Sequence, residues 1–282
     1  MYIEIIKPSG FCAGVKGAID ACLSIKEKTE FNHYYTYGEI VHNDNVVKRL
    51  ESIGIIALKP SLDSLKILTK DDCLIFTAHG LNEMAKAYLE KNDIMYFDTT
   101  CPFVLRNKEF IEMYEGDIIY IAKANHPEAR AIASLDLNKK LFIYDQDTKE
   151  LEEGLKDVSI VCQTTLAHTD TEDDIALIKK MYPDAKVFPS ICNASITRQD
   201  AIINLDPKFN VLLVVGSLTS SNTDKLYKLG LTKLSRVYKV NDVNDLSGIT
   251  FNDTDNIAII SGASSDISDA LSIKEYLENA RF

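Results

Sequence analysis

The 282-residue chain is 46% hydrophobic and 26% charged, enough apolar material for a sizeable core in one large domain or in two to three smaller ones. Its 31 basic and 42 acidic residues give a formal net charge of −11, so no basic stripe advertises nucleic acid or an anionic membrane surface. The chain does not open on a basic segment followed by a long apolar stretch, and nowhere do about 18 apolar residues run together; neither a signal peptide nor a membrane span is expected, and the cytoplasm is the default compartment.

Tyr2 to Ile6 reads as a strand and Ala18 to Ile25 as a helix, with "PSGFCAGVKGA" between them placing Cys12 in a turn bracketed by Gly10 and Gly14. "YYTYGE" predicts a strand, followed by the turn "EIVHND" with His42 and a helix over Asn43 to Ser52. "CLIFTA" runs into "FTAHGLN" with His79 and a helix over Leu81 to Glu90; "IMYFDT" leads to Cys101 and a helix over Pro102 to Tyr114. "DIIYIAK" precedes "KANHPEA", which holds His126 and Glu128, and "SIVCQT" ends in Gln163, Thr164 and Thr165. "VFPSIC" sets Cys192 at another helix start, "VLLVVG" leads to Ser220, Ser221 and Asn222, and "IAIISG" leads to Ser264 and a helix over Ile267 to Leu277. Strand and helix alternate throughout, the pattern of parallel sheets covered by helices in an α/β fold.

Cys12, Cys101 and Cys192 each fall between a strand and a helix, 89 and 91 residues apart. The chain therefore reads as three similar modules, 1–92, 93–184 and 185–282, with mostly parallel sheets. After each cysteine come two further polar turns, at His42, His126 and Ser220 and then at His79, Thr165 and Ser264. Ligands of open α/β sheets bind beyond the carboxyl ends of the strands, where helix N-termini also point, so a pseudo-threefold trefoil of these modules would turn all nine positions toward one central cavity.

A helix N-terminus favours thiolate over thiol, and three such thiolates suit an iron-sulfur cluster with one iron left without a cysteine, or a zinc with one open position. Cys22, Cys73 and Cys162 lie inside apolar elements and are expected to be inert buried thiols; no CxxC pair occurs. Histidines in matched turns favour an anion site, since imidazoles and helix N-terminal amides donate hydrogen bonds without a basic surface. His33 and His168 lack that repeat context. Glu128 is the one carboxylate placed at the presumed cavity, where proximity to a buried thiolate-ligated cluster would raise its pKa and make it a proton donor, with Thr164 and Thr165 as relay or ligand groups. Ser220 and Ser264 also suit helix capping. Neither GxGxxG nor a P-loop occurs, so nucleotide redox cofactors are not expected. A zinc hydrolase of phosphorylated compounds and a non-catalytic iron-sulfur sensor use the same residues.

Taken together, "GFCAGV", "VHNDNVV", "FTAHG", "DTTCPFV", "HPEA", "QTT", "CNASITRQ", "SSNTDKL" and "SGAS" closely resemble, in order and over essentially the whole chain, the 4-hydroxy-3-methylbut-2-enyl diphosphate reductase family. The resemblance implies a [4Fe-4S] cluster held by Cys12, Cys101 and Cys192 with one open iron, and a diphosphate substrate held by His42, His79, His126, Ser220, Ser221, Asn222 and Ser264. It also implies substrate contacts from Thr164 and Thr165, proton donation by Glu128, and a ferredoxin or flavodoxin as electron donor. Asn125 stands where the family has glycine, Ala129-Arg130 replaces a valine- and glycine-containing continuation, and Lys16-Gly17 replaces a charged pair; nothing in the residues explains the last change.

Overall fold

The computed structural model describes residues 1–41, 43–217 and 220–280, without the side chains of 168, 169 and 221. Among them packing defines two compact units. The first joins Met1–Ala13 and a short piece around Asn43 to the chain from Cys192 onward; the second comprises Gly14–Val41 and Asn45–Ile191.

In the first unit, β1 (Tyr2–Ile5), β10 (Val211–Val215), β11 (Val237–Val240) and β12 (Asn256–Ser261) form a sheet of order β1-β12-β10-β11, every pair parallel. Alternate residues face opposite sides, and both sides are covered. Leu213 and Ile259 pack with Ala270, Ile273 and Leu277 of α10 (Ile267–Asn279). Leu212, Val214, Ala258 and Ile260 pack with Ile202 of α8 (Asn193–Ile203) and Leu226 of α9 (Ser221–Leu231). Double coverage is why β10 and β12 read as apolar runs.

The second unit repeats the plan twice. One parallel sheet has the order β3 (Ile55–Leu58), β2 (Tyr34–Tyr37), β4 (Cys73–Phe76), β5 (Met95–Asp98); the other has β7 (Leu141–Asp145), β6 (Ile118–Ala122), β8 (Ser159–Cys162), β9 (Lys186–Val187). Its helices are α1 (Ala13–Lys28), α2 (Asp44–Ser52), α3 (Leu62–Leu65), α4 (Glu83–Lys91), α5 (Pro102–Met113), α6 (Pro127–Ala133) and α7 (His168–Met181), the first two beginning in segments of the first unit. The expected helices thus form within two residues of their sequence bounds, except that α1 starts five residues early and ends three residues late. β3, β7 and β11, absent from the sequence reading, are outer strands of their sheets.

All three sheets share one plan: the strand before each cysteine (β1, β5, β9) is added at the edge, beside β12, β4 and β8 respectively. β5 and β9 thereby join sheets built from strands that precede them in the chain, and β1 joins the sheet of the last strands. Cys12, Cys101 and Cys192 each follow such an edge strand and immediately precede α1, α5 and α8.

The turn after β4 is set by close approach. Gly80 has φ +118°, and a Cβ there would lie 2.9 Å from Cβ of Ala131 on α6. A side chain would meet both a disfavoured backbone and an occupied neighbour. Gly80→Ala is expected to cost about 1–3 kcal/mol, seen as a lower urea midpoint at unchanged m-value; an unchanged midpoint would show that the turn does not depend on this contact.

Candidate functional site

Within the second unit, the turns after β4, β6 and β8 meet. Glu128, at the start of α6, is 1% exposed and precedes Ala129, which packs in the apolar layer around β6. Tyr120 Oη donates to its Oε1 at 2.8 Å, the Thr164 amide donates to the same oxygen at 2.9 Å, and Thr164 Oγ1 donates to Oε2 at 2.7 Å. Burial pushes the Glu128 pKa up, against the opposing effect of these three hydrogen bonds. Oε1 is saturated by two donors, so a proton on the carboxyl belongs on Oε2, where it reverses the bond to Thr164 and lets that hydroxyl donate onward.

His126 caps α6: its Nδ1 accepts from the Glu128 amide at 3.2 Å, which leaves the proton of the neutral ring on Nε2 as a donor. The ring stands edge-on to His79, 5.5 Å between centroids, and His79 Nδ1 lies 3.1 Å from Thr77 Oγ1. Cys101 joins the same turn, its amide donating to Ala78 O at 3.1 Å. Thr165 Oγ1 accepts from Gln163 Nε2 at 2.8 Å, and Gln163 Oε1 accepts from the Lys123 amide at 3.1 Å, tying the ends of β8 and β6 together. His79, His126, Cys101, Glu128 and Thr164 are therefore brought together by loops from two sheets.

In the first unit, the Cys12 loop is zipped onto the end of β12: Gly10 N donates to Ser261 Oγ at 2.5 Å, Ser261 N to Ser9 Oγ at 3.1 Å, and Cys12 N to Ala263 O at 3.0 Å. Gly10 is required by its φ of +92° and by Ile267, whose Cβ would lie 3.1 Å from a side chain there. Cys192 caps α8 through sulfur, with Ser195 N 3.4 Å and Ser195 Oγ 3.2 Å from Sγ. Ser220 caps α9, and its hydroxyl lies 3.3 Å from that of Ser264. Ser264 is not the expected helix cap, because Asp266 caps α10; its carbonyl instead accepts from Asn43 Nδ2 at 2.9 Å. Both polar atoms of the Asn222 side chain are buried with no hydrogen-bond partner among the described residues.

His42 and the side chain of Ser221 lie outside the described residues. Cys22, Cys73 and Cys162 are at most 2% exposed, and burial pushes each thiol up to about 12. The other three are partly exposed, and no cysteine forms a disulfide. Among the described residues no three His, Cys, Asp or Glu side chains gather about a single ion position. Asn125 is not among the residues with positive φ, so its replacement of glycine needs no left-handed backbone. His33 Nδ1 pairs with the buried Asp72 at 2.8 Å, away from the repeated turns.

The sequence reading missed Tyr120, whose position inside an apolar strand signals only core, and Arg198. Arg198 is 3% exposed; Nε donates to Ser261 O at 3.2 Å, Nη1 to Ala194 O at 2.9 Å and Nη2 to Gly10 O at 2.6 Å. Burial lowers its pKa, while Cys12 and Cys192 act in the opposite sense.

A family model described as LytB protein matches residues 3–278. The 4-hydroxy-3-methylbut-2-enyl diphosphate reductase of Caldanaerobacter subterraneus subsp. tengcongensis is 33% identical, the match covering 94% of this chain and 92% of that protein. That of Petrotoga mobilis is 30% identical, covering 100% and 99%. Among solved structures, the E-1-hydroxy-2-methyl-but-2-enyl-4-diphosphate reductase from Plasmodium falciparum is similar with a TM-score of 0.86 at 28% identity, over 100% of this chain and 89% of that one. A second, (E)-4-hydroxy-3-methyl-but-2-enyl diphosphate reductase, described as the terminal enzyme of the non-mevalonate pathway, gives a TM-score of 0.69 at 25% identity over 99% and 100%.

A carboxyl whose pKa is raised on folding holds its proton in the native state after the unfolded chain has lost it, so its contribution to stability is complete below the unfolded value and fades as pH rises through the folded one. Relative to Glu128→Gln, the wild type is therefore expected to lose melting temperature as pH rises above 4.5, the ordinary value for glutamate. Parallel melting-temperature profiles for the two proteins would show that Glu128 is not held protonated by the fold.

Proposed function

The chain belongs to the LytB protein family, and we propose that it reduces (E)-4-hydroxy-3-methylbut-2-enyl diphosphate to isopentenyl and dimethylallyl diphosphate. The observation that carries the mechanism is the buried Glu128-Thr164 pair beside His79, His126 and Cys101. The reaction consumes two electrons and two protons: one proton leaves with the hydroxyl as water, and the other is delivered to carbon.

Cys12, Cys101 and Cys192 would hold a [4Fe-4S] cluster. The donor set fits: each cysteine sits at an equivalent helix start, and a buried guanidinium lies near two of them. When bound, this cluster supplies electrons one at a time and a Lewis-acidic iron for the substrate hydroxyl.

The chain's own groups handle the substrate and its protons. We assign the diphosphate to neutral donors: Nε2–H of His126 and the His79 ring in the second unit, and in the first unit the paired hydroxyls of Ser220 and Ser264 and the unsatisfied amide of Asn222. His42, Ser221 and Thr165 complete this set in our reading. No basic cluster is needed, because neutral donors and helix N-termini carry the anion. Glu128, whose pKa burial raises, passes its proton from Oε2 through Thr164 Oγ1 to the departing hydroxyl. Protonation of the allylic fragment at either of two carbons accounts for two products.

The electrons come from a separate ferredoxin or flavodoxin. Among the described residues no helix is long and apolar enough to cross a membrane, and we place the enzyme in the cytoplasm.

Glu128→Gln is expected to retain the cluster and bind substrate while turnover falls by about 10²- to 10⁴-fold, measured anaerobically with a chemical reductant; near-normal turnover would remove Glu128 from proton delivery. Cys101→Ser is expected to lose most of its iron and sulfide on anaerobic purification. A stable, wild-type iron-sulfur spectrum in that variant would rule out Cys101 as a ligand.

A further inference from the structure

Arg198 lies on α8, six residues after Cys192, and is almost wholly buried. Its three hydrogen bonds go to carbonyls of Gly10 in the Cys12 loop, Ser261 at the end of β12, and Ala194 in the first turn of α8. All three acceptors are neutral, and among the described residues no carboxylate pairs with it. A guanidinium does not give up its proton in a protein, so this buried charge has no formal counter-charge from a side-chain acid. The groups that act on it electrostatically are Cys12 and Cys192.

We propose that Arg198 is a positioning residue for the metal centre, joining the Cys12 loop to the Cys192 helix and supplying the permanent cation that balances their sulfurs and the bound cluster. The inference rests on the iron-sulfur reading above. A cubane with three thiolate ligands is an anion in its oxidised form and gains a further negative charge on reduction, so a fixed buried cation favours the reduced state. The planar fork is suited to this placement: it spans three carbonyls on separate segments, whereas a single ammonium cannot reach all of them in the same geometry.

A purely structural clamp would affect folding and iron retention without altering the redox equilibrium. The test compares anaerobically prepared wild type, Arg198→Gln and Arg198→Lys, reading the cluster's midpoint by EPR-monitored redox titration and its iron release to a chelator. In Arg198→Gln the reduced-to-oxidised ratio at the wild-type midpoint should fall at least tenfold, a lowering of about 59 mV or more for one electron. Arg198→Lys, which keeps the charge and loses the fork, should hold that ratio within threefold and release iron several times faster. A loaded Gln variant with the wild-type midpoint overturns the proposal. If the Gln variant does not fold, a Lys variant with wild-type iron release overturns it instead. A wild-type chain that takes up no iron-sulfur cluster defeats the underlying reading, an outcome distinguished by the wild-type arm alone.

Discussion

Parallel strand pairing is the constraint on which the rest of this structure depends. Within each sheet every pair is parallel, so all carboxyl ends emerge on one side, and helices on both faces require apolar strands. Polar chemistry is thereby concentrated in the strand-to-helix turns, where helix N-termini leave amides that need acceptors. His126, Cys192 and Ser220 each satisfy such amides with an imidazole nitrogen, a sulfur or a hydroxyl, so the capping side chains and the candidate ligand-binding side chains are the same. The edge strand before each cysteine adds a second restraint. Pairing β1 with β12 lets the Cys12 loop continue hydrogen bonding along Ser261 and Ala263 after the strand itself has ended.

This organisation was largely legible in the residues because the elements that carry it are central and repeated. β4, β6, β10 and β12 are covered on both faces and appear as apolar runs, and the spacing of Cys12, Cys101 and Cys192 marks equivalent positions without reference to any alignment. β3, β7 and β11 were harder to read: each has one strand neighbour, and exposed or half-buried positions dilute its pattern. Sheet membership was also hidden, since the edge pairing of β1 with β12 joins positions more than 250 residues apart and leaves no local mark. At the site, Glu128 was legible from its place beside His126. Tyr120 was not, because a tyrosine in a buried strand has the same pattern whether its hydroxyl is idle or directed at a carboxyl.

The environment of Glu128 balances two opposing effects. Removal from water disfavours the charged carboxylate, whereas Tyr120 and Thr164 favour it by donating three hydrogen bonds. A carboxyl without those donors would be a poor, immobile acid; one fully solvated would be ionised at neutral pH. The arrangement distinguishes its two oxygens, committing Oε1 to the scaffold through Tyr120 and the Thr164 amide and leaving Oε2 facing a hydroxyl that can turn. Proton direction thus follows from which oxygen is saturated, a property that no single residue in the group possesses.

Arg198 shows the complementary solution to burying an ionisable group. A buried carboxylic acid can become neutral by retaining its proton, the direction in which burial pushes Glu128, but a guanidinium has no comparable route. Its burial must be offset by acceptors and by nearby negative charge. Three carbonyls meet the hydrogen-bonding need, and Cys12 and Cys192 are the groups that act on the charge in the sense that favours it. In the proposed reduction the two groups would divide the electrostatics between them: Glu128 would hold a charge latent as a transferable proton, while Arg198 would hold one fixed beside the sulfurs. The proposed centre, accepting electrons one at a time, would need both, because a mobile proton does not offset charge on the sulfurs between transfers and a fixed cation does not leave with the hydroxyl.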